Sequence, residues 1–161
     1  MNRNFAKIIL SKLDAHIFVI GRAGAGKSTL IHDANIPDAR YFDFVELTKN
    51  GGRASPCMLC ENNYADFESE LLNTPEKNLI LDAVEFPVNL ESSKLLHLIK
   101  TARKSGKRLI IVAFPENADP VLLRYYQGVL GSLSAIIRLD REGNNFTCEV
   151  ETYFDPEQEN D

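Results

Sequence analysis

Residues 21–28 read Gly-Arg-Ala-Gly-Ala-Gly-Lys-Ser, a fit to G-x-x-x-x-G-K-[ST] at every fixed position. No other feature restricts the fold as tightly. Glycines at Gly21, Gly24 and Gly26 open backbone conformations that are closed to residues with side chains, so successive N–H groups can turn inward around a phosphate. Lys27 adds a mobile point charge for the β- and γ-phosphates, and the Ser28 hydroxyl stands where it can ligate Mg²⁺. Residues 16–20 before the loop form a short apolar, β-rich run, and residues 28–33 after it can begin a helix. A strand, a glycine loop and a helix N-terminus build an anion site from orphan N–H groups and the helix dipole. The expected nucleoside-triphosphate ligands are therefore Gly21, Arg22, Ala23, Gly24, Ala25, Gly26, Lys27, Ser28 and Thr29.

Around this loop, apolar strand-like runs alternate with helix-like runs. Residues 5–13 read as a helix with Phe5, Ile8, Ile9 and Leu13 on one side. Strands are expected at 17–20, 40–45, 78–82 and 109–114, and helices at 27–32, 63–72, from Ser92 or Ser93 to Gly106, and from Asp119-Pro120 to about 130. Residues 134–139 and 146–153 flank a turn-rich stretch, 140–145, and form a terminal β-hairpin added to an otherwise parallel sheet. This alternation predicts one α/β sheet covered on both faces. Asp82 closes the apolar run that begins at Asn78, at the sheet edge where open α/β folds place their ligands, and is the expected Mg²⁺ carboxylate together with Ser28. A general base must also polarise the attacking water; Glu85, three residues beyond Asp82, and Glu46, beyond the strand carrying Asp43, are the two candidates.

At 161 residues the chain has room for one core, with the domain expected over 1–154 and an acidic, frayed tail at 155–161. The net charge of −5 argues against a broadly basic nucleic-acid-binding surface, though not against a local basic strip. Lys100, Arg103, Lys104, Lys107 and Arg108 cluster at the end of one helix; complementing the helix dipole accounts for them, and a phosphate or nucleic-acid contact is the sharper alternative. No apolar run approaches the ~18–20 residues that span a bilayer. The first ten residues hold only three apolar residues in their longest run, too few for a signal peptide, so a cytoplasmic protein is expected. Three cysteines make no disulfide framework. Cys57 and Cys60 form one C-x-x-C without a second pair; two reduced cysteines beside a loop is the simple account, and a redox pair or a zinc half-site shared between subunits the alternatives.

The loop at 21–28 with residues 79–82, separated by one strand, resembles the additional-strand class of P-loop NTPases, and within it the RecA-like and FtsK/HerA-like ATPase cores. The resemblance runs over about residues 14–153 and implies a three-layer P-loop NTPase fold with a mostly parallel central sheet and a C-terminal β-hairpin. It also implies ATP and Mg²⁺ as cofactors, work on a macromolecular partner such as nucleic acid, and a homo-oligomer or partner-activated site completed by an arginine, for which Arg22, Arg124 and Arg138 are candidates. Ala83 after Asp82, and Ala113-Phe114-Pro115 where such families carry a polar residue, imply slow hydrolysis or activation by a partner. A small-molecule kinase and a nucleotide-dependent switch are the competing classes. The kinase lacks an Arg-rich lid insertion here, and the absence of N-K-x-D favours ATP over GTP.

Overall fold

The computed structural model describes residues 2–43, 68–82, 94–115, 124 and 133–154. Along the chain these form α1 (Asn2–Lys12), β1 (His16–Gly21), α2 (Lys27–Ala34), β2 (Ala39–Asp43), β3 (Asn78–Asp82), α3 (Lys94–Lys104), β4 (Arg108–Ala113), β5 (Leu133–Glu142) and β6 (Asn145–Phe154), with residues 68–73 also helical. Glu46, Glu85, Cys57, Cys60, Ser92, Ser93, the helix expected from Asp119 except Arg124, and the tail at 155–161 lie outside the described residues.

Six strands make one sheet in the order β2-β3-β4-β1-β5-β6. Every neighbouring pair is parallel except the last, where β6 runs antiparallel to β5. Strands β1 and β4 are buried along nearly their whole length, which is why they read as unbroken apolar runs rather than alternating ones. Side chains alternate between faces. Ile17, Val19, Ile110, Val112, Ala135 and Ile137 join Ala6, Ile9 and Leu10 of α1 and Leu30, Ile31 and Ala34 of α2 in one core. Phe18, Leu79, Leu81, Leu109 and Ile111 are fully buried on the other face, where α3 packs on β4 through the fully buried Ala102. The expected α/β architecture of three layers with a parallel sheet and a closing hairpin is the one observed.

Two expectations need correction. In α1 the buried stripe is Ala6, Ile9, Leu10 and the half-buried Leu13, whereas Phe5 and Ile8 are 51% and 52% exposed. Both sets recur at helical spacing; α1 lies against α2 as well as β6, and the small Ala6 permits that approach. The turn-rich stretch at 140–145 is mostly strand. Arg141 pairs with Phe146 and Glu142 with Asn145, leaving Gly143-Asn144 as a two-residue loop. Gly143 takes a φ of 59°, the positive φ that such twist-matched loops require at their first residue. The polar residues of this ribbon are exposed, so strand pairing there buries no polar side chain.

α3 ends as expected at Gly106. Its φ of 81° lets the Gly106 N–H reach Arg103 O and the Lys107 N–H reach Ala102 O, each at 3.0 Å, satisfying two terminal carbonyls. Among the described residues no helix is long and apolar enough to cross a membrane.

Candidate functional site

The carboxyl ends of β1, β3 and β4 share one sheet edge, and the register fixes their levels. Ile20 lies beside Ala113, Gly21 beside Leu139, and Asp82 beside Asp43. β4 is thus interposed between the strand that feeds the glycine loop and the strand that ends in Asp82.

The loop's three glycines are required for two different reasons. A Cβ on Gly21 would lie 3.0 Å from Leu139 O and 3.2 Å from the Lys27 side chain, so the approach to β5 excludes one. Gly24 and Gly26 have φ of 81° and 93°, left-handed values that L side chains rarely adopt. Within the loop the Ala25 N–H donates to Arg22 O at 3.0 Å, and Ala25 is buried in the same core as α1 and α2. That apolar anchor ties the loop to the body. Gly26 is the N-cap of α2: its carbonyl accepts the Leu30 N–H at 2.9 Å, and no side chain caps the first turn. The first-turn N–H groups of α2 therefore have no capping side-chain acceptor, and the positive end of the helix dipole points with them.

The Lys27 ammonium donates to Gly21 O and, at 3.0 Å, to Arg22 O, and sits 4.4 Å from the centre of the Phe114 ring. Its stem is half-buried, and two backbone carbonyls and a ring face hold the charge at the mouth of the loop. Ser28 and Thr29, on the first turn of α2, are exposed. They line a cleft of about 560 Å³ with Ala23, Gly24, Gly26 and Lys27 on one side and Asp82, Phe114, Arg141 and Phe146 on the others. That volume lies within the range of small-molecule sites. Asp82, at the end of β3, is half-buried and accepts a hydrogen bond from the Tyr41 hydroxyl through Oδ2.

Most sequence-predicted site residues therefore meet. Gly21 and Ala25 are buried beneath the loop, and Ala23, Gly24, Gly26, Lys27, Ser28, Thr29 and Asp82 face one cleft. Arg22 does not. Its guanidinium donates to Asp140 at 2.6 and 3.2 Å, and the pair holds the Asp140 carboxyl below the usual carboxylate range. Arg22 instead lines a neighbouring cavity with Arg138, which itself lies 3.8 Å from Glu151. Arg124 is exposed.

The basic cluster is at the other end of the sheet, and two of its members are structural. Arg108, 5% exposed, donates to Ile9 O, Leu10 O and Ala15 O at 2.7–2.9 Å, and the Lys107 ammonium donates to Thr74 O and Glu76 O. Lys100, Arg103 and Lys104 are exposed.

Three cleft residues escaped sequence reasoning, Phe114, Arg141 and Phe146, and so did Tyr41, which donates to Asp82. Phe114 is visible in the sequence only as a departure from a polar position. Arg141 and Phe146 would have been found by taking Gly143-Asn144 as the whole turn, which makes them cross-strand partners.

No family model matches this chain, and no curated protein matches it in sequence. Among solved structures it is similar to the KaiC-like protein PH0186 of Pyrococcus horikoshii OT3, at 15% identity over 90% of this chain and 81% of that one, with a TM-score of 0.50. It is also similar to AMPPCP-bound DnaA of Aquifex aeolicus, at 18% identity over 89% of this chain, with a TM-score of 0.50. The chain spans 45% of the length of that DnaA. At these identities the likeness shows the fold, which is that of P-loop NTPases.

Proposed function

We propose that this chain binds ATP with Mg²⁺ and hydrolyses it slowly, as a P-loop NTPase of the additional-strand class near the RecA-like and FtsK/HerA-like cores. One observation carries the reading: the glycine loop, Lys27, Ser28 and Asp82 line a single cleft at the carboxyl edge of the sheet. The interposed β4 supports the class, and the AMPPCP-bound state of the similar DnaA supports an adenine nucleotide as the ligand.

The roles follow from chemistry. On binding, the β- and γ-phosphates take the Lys27 ammonium from its two carbonyl partners, while the N–H groups of Gly24, Gly26, Lys27 and Ser28 surround them. Ser28 and Asp82 offer two hard oxygen donors to one cleft, the donor chemistry that suits Mg²⁺, and they are the residues that would hold it. Mg²⁺ would supply charge neutralisation at the transferring phosphoryl group. Glu46 or Glu85 orients the attacking water in this proposal, and residues 1–154 act as one domain with 155–161 as a tail.

Turnover is the weak side of the site. β4 ends at Ala113 and is followed by Phe114 in place of a polar residue, and the Asp82 carboxylate accepts a hydrogen bond from Tyr41. Those two features favour a second reading, a nucleotide-dependent switch with little hydrolysis. A partner, either a second copy or nucleic acid, then supplies the activation.

Calorimetric titration of ATP with Mg²⁺ tests binding, and Lys27→Ala should abolish it while the thermal melt is unchanged. Unaltered affinity in the folded variant would sink the proposal. Turnover measured alone and with single-stranded DNA, double-stranded DNA and RNA ranks the ATPase against the switch. A rate per chain that climbs with protein concentration identifies a site completed by a second copy; a flat rate from a monomer removes that partner.

A further inference from the structure

Phe146 is 55% exposed, yet it is the first residue but one of β6 and forms part of the wall of the phosphate-loop cleft. Its Cδ1 lies 3.9 Å from where a Cβ on Gly26 would sit, so the ring stands directly beside the loop that takes the phosphates. Across the hairpin, the Arg141 guanidinium stacks over the ring at 4.9 Å from its centre. Arg141 is held in that pose, because its Nε donates to Gly143 O at 2.7 Å and its backbone N–H donates to Asp140 at 2.8 Å. The ring is thus fixed from one side by a cation while more than half of it stays in contact with solvent. Isolated exposed apolar side chains are ordinary. An oriented aromatic ring in the wall of a phosphate site is a different case.

We propose that Phe146, positioned by Arg141, is the stacking platform for the base of the bound nucleotide, supplied in cis by the β5–β6 hairpin. This rests on the ATP-binding reading and adds to it a subsite that recognises the base. Stacking on a ring uses the π-face that every base presents. Stacking grows with the area of the base and carries no hydrogen-bond code, so the platform favours a purine over a pyrimidine and separates ATP from GTP little.

The experiment titrates the full chain with ATP, CTP and inorganic tripolyphosphate, each with Mg²⁺, by calorimetry. Phe146→Ala should weaken ATP by about tenfold or more, the range of base–aromatic stacking. It should leave tripolyphosphate within about twofold, since the phosphates touch the loop and not the ring. Phe146→Tyr keeps the ring and should restore ATP affinity, and the preference for ATP over CTP should vanish in the alanine variant alone. Arg141→Ala should weaken ATP less than Phe146→Ala and again spare tripolyphosphate. Equal losses for ATP and tripolyphosphate, or unchanged ATP affinity in a Phe146→Ala variant that melts like the parent, overturn the platform. Lys27→Ala separates the two levels of the proposal. If it leaves tripolyphosphate binding intact, or the parent binds neither ligand, the phosphate-loop reading has failed and the platform fails with it.

Discussion

Acidification should destabilise this protein in a window set by one histidine. His16 opens β1, and its Nδ1 accepts the Leu109 N–H at 3.1 Å, a bond only the unprotonated nitrogen can make. Burial lowers its pKa from 6.5 to about 4, reinforced by the charges of Arg103 and Arg108 and opposed by Asp14. Lys77 and Lys107 line the same small cavity and add to the positive surroundings. The sign follows directly. Above pH 6.5 both the folded and unfolded chain hold His16 neutral, and no stability is lost to protonation. Between about 6.5 and 4 only the unfolded chain takes the proton, so stability falls as pH falls. Below about 4 both states are protonated and the loss levels off. A gap of about 2.5 units at 1.36 kcal/mol each gives a total of about 3 kcal/mol, of which about 2 kcal/mol is gone by about pH 5. The carboxyls of Asp140 and Glu76 are held below their ordinary values by Arg22 and Thr74 respectively, so what they contribute is lost only as pH falls through and below the ordinary carboxylate range, at the acid end of the series. Urea unfolding followed by circular dichroism from about pH 7.5 to about pH 4.5 measures the slope. His16→Asn keeps an acceptor for the Leu109 N–H but cannot titrate, so its curve should be flatter by that amount. Parallel curves for parent and variant would refute the assignment.

At the same edge, Arg108→Met should cost about 2–4 kcal/mol in urea unfolding, since three carbonyls of the α1 region lose their donor while the stem volume is kept. A loss under about 1 kcal/mol would mean that water replaces the guanidinium. Gly24→Ala should cost about 1–2 kcal/mol, because its φ of 81° is strained for alanine but no atom lies within 4 Å of the new methyl. Gly21→Ala should cost more in the same melts, because its methyl meets Leu139 O at 3.0 Å; the reverse order would contradict the packing described. Asp82→Asn should retain ATP affinity within about threefold and lose most Mg²⁺-dependent turnover, since the charge acts through the cation. Equal turnover in parent and variant would remove Asp82 from the metal's shell.

The strands were legible because burial on both faces leaves only apolar residues, and the runs at 17–20, 79–81 and 109–113 carry nothing else. The glycine loop was legible for a stereochemical reason: two positive φ values and one close approach admit no other residue. The face of α1 was not, since Phe5 with Ile8 and Ala6 with Ile9 and Leu10 satisfy the same spacing. Only the neighbours α2 and β6 decide between them, and they select the small residue. The hairpin tip misled for the opposite reason. Asp140 to Asn145 has the composition of a loop, but a two-stranded ribbon projecting into solvent buries nothing, so polar side chains cost it little. Tyr41 and Phe114 join the site across the sheet, at sequence separations that no local pattern records.

The two edges of the sheet differ in how their polar groups are committed, and the proposed function rests on that difference. At the amino edge the polar groups are committed inward: Arg108 to the α1 carbonyls and Asn78 Oδ1, Lys107 to Thr74 and Glu76, His16 to Leu109, and the Asn78 amide to Pro37 O. These bonds join α1, β1, β3 and β4, elements distant in sequence, and several are buried, so each one lost leaves an uncompensated group. At the carboxyl edge the Lys27 ammonium rests on two backbone carbonyls and a ring face, and the first turn of α2 has no side-chain cap. Those contacts can be exchanged for phosphate oxygens without opening the core. The amino edge can then hold the strands in register while the loop trades partners. Variants at His16 or Arg108 should therefore shift the unfolding midpoint and leave the ATP dissociation constant of the folded fraction within about twofold, while Lys27→Ala does the reverse. A Lys27→Ala chain that melts far below the parent would show that the ammonium is structural and that the division between the edges is false.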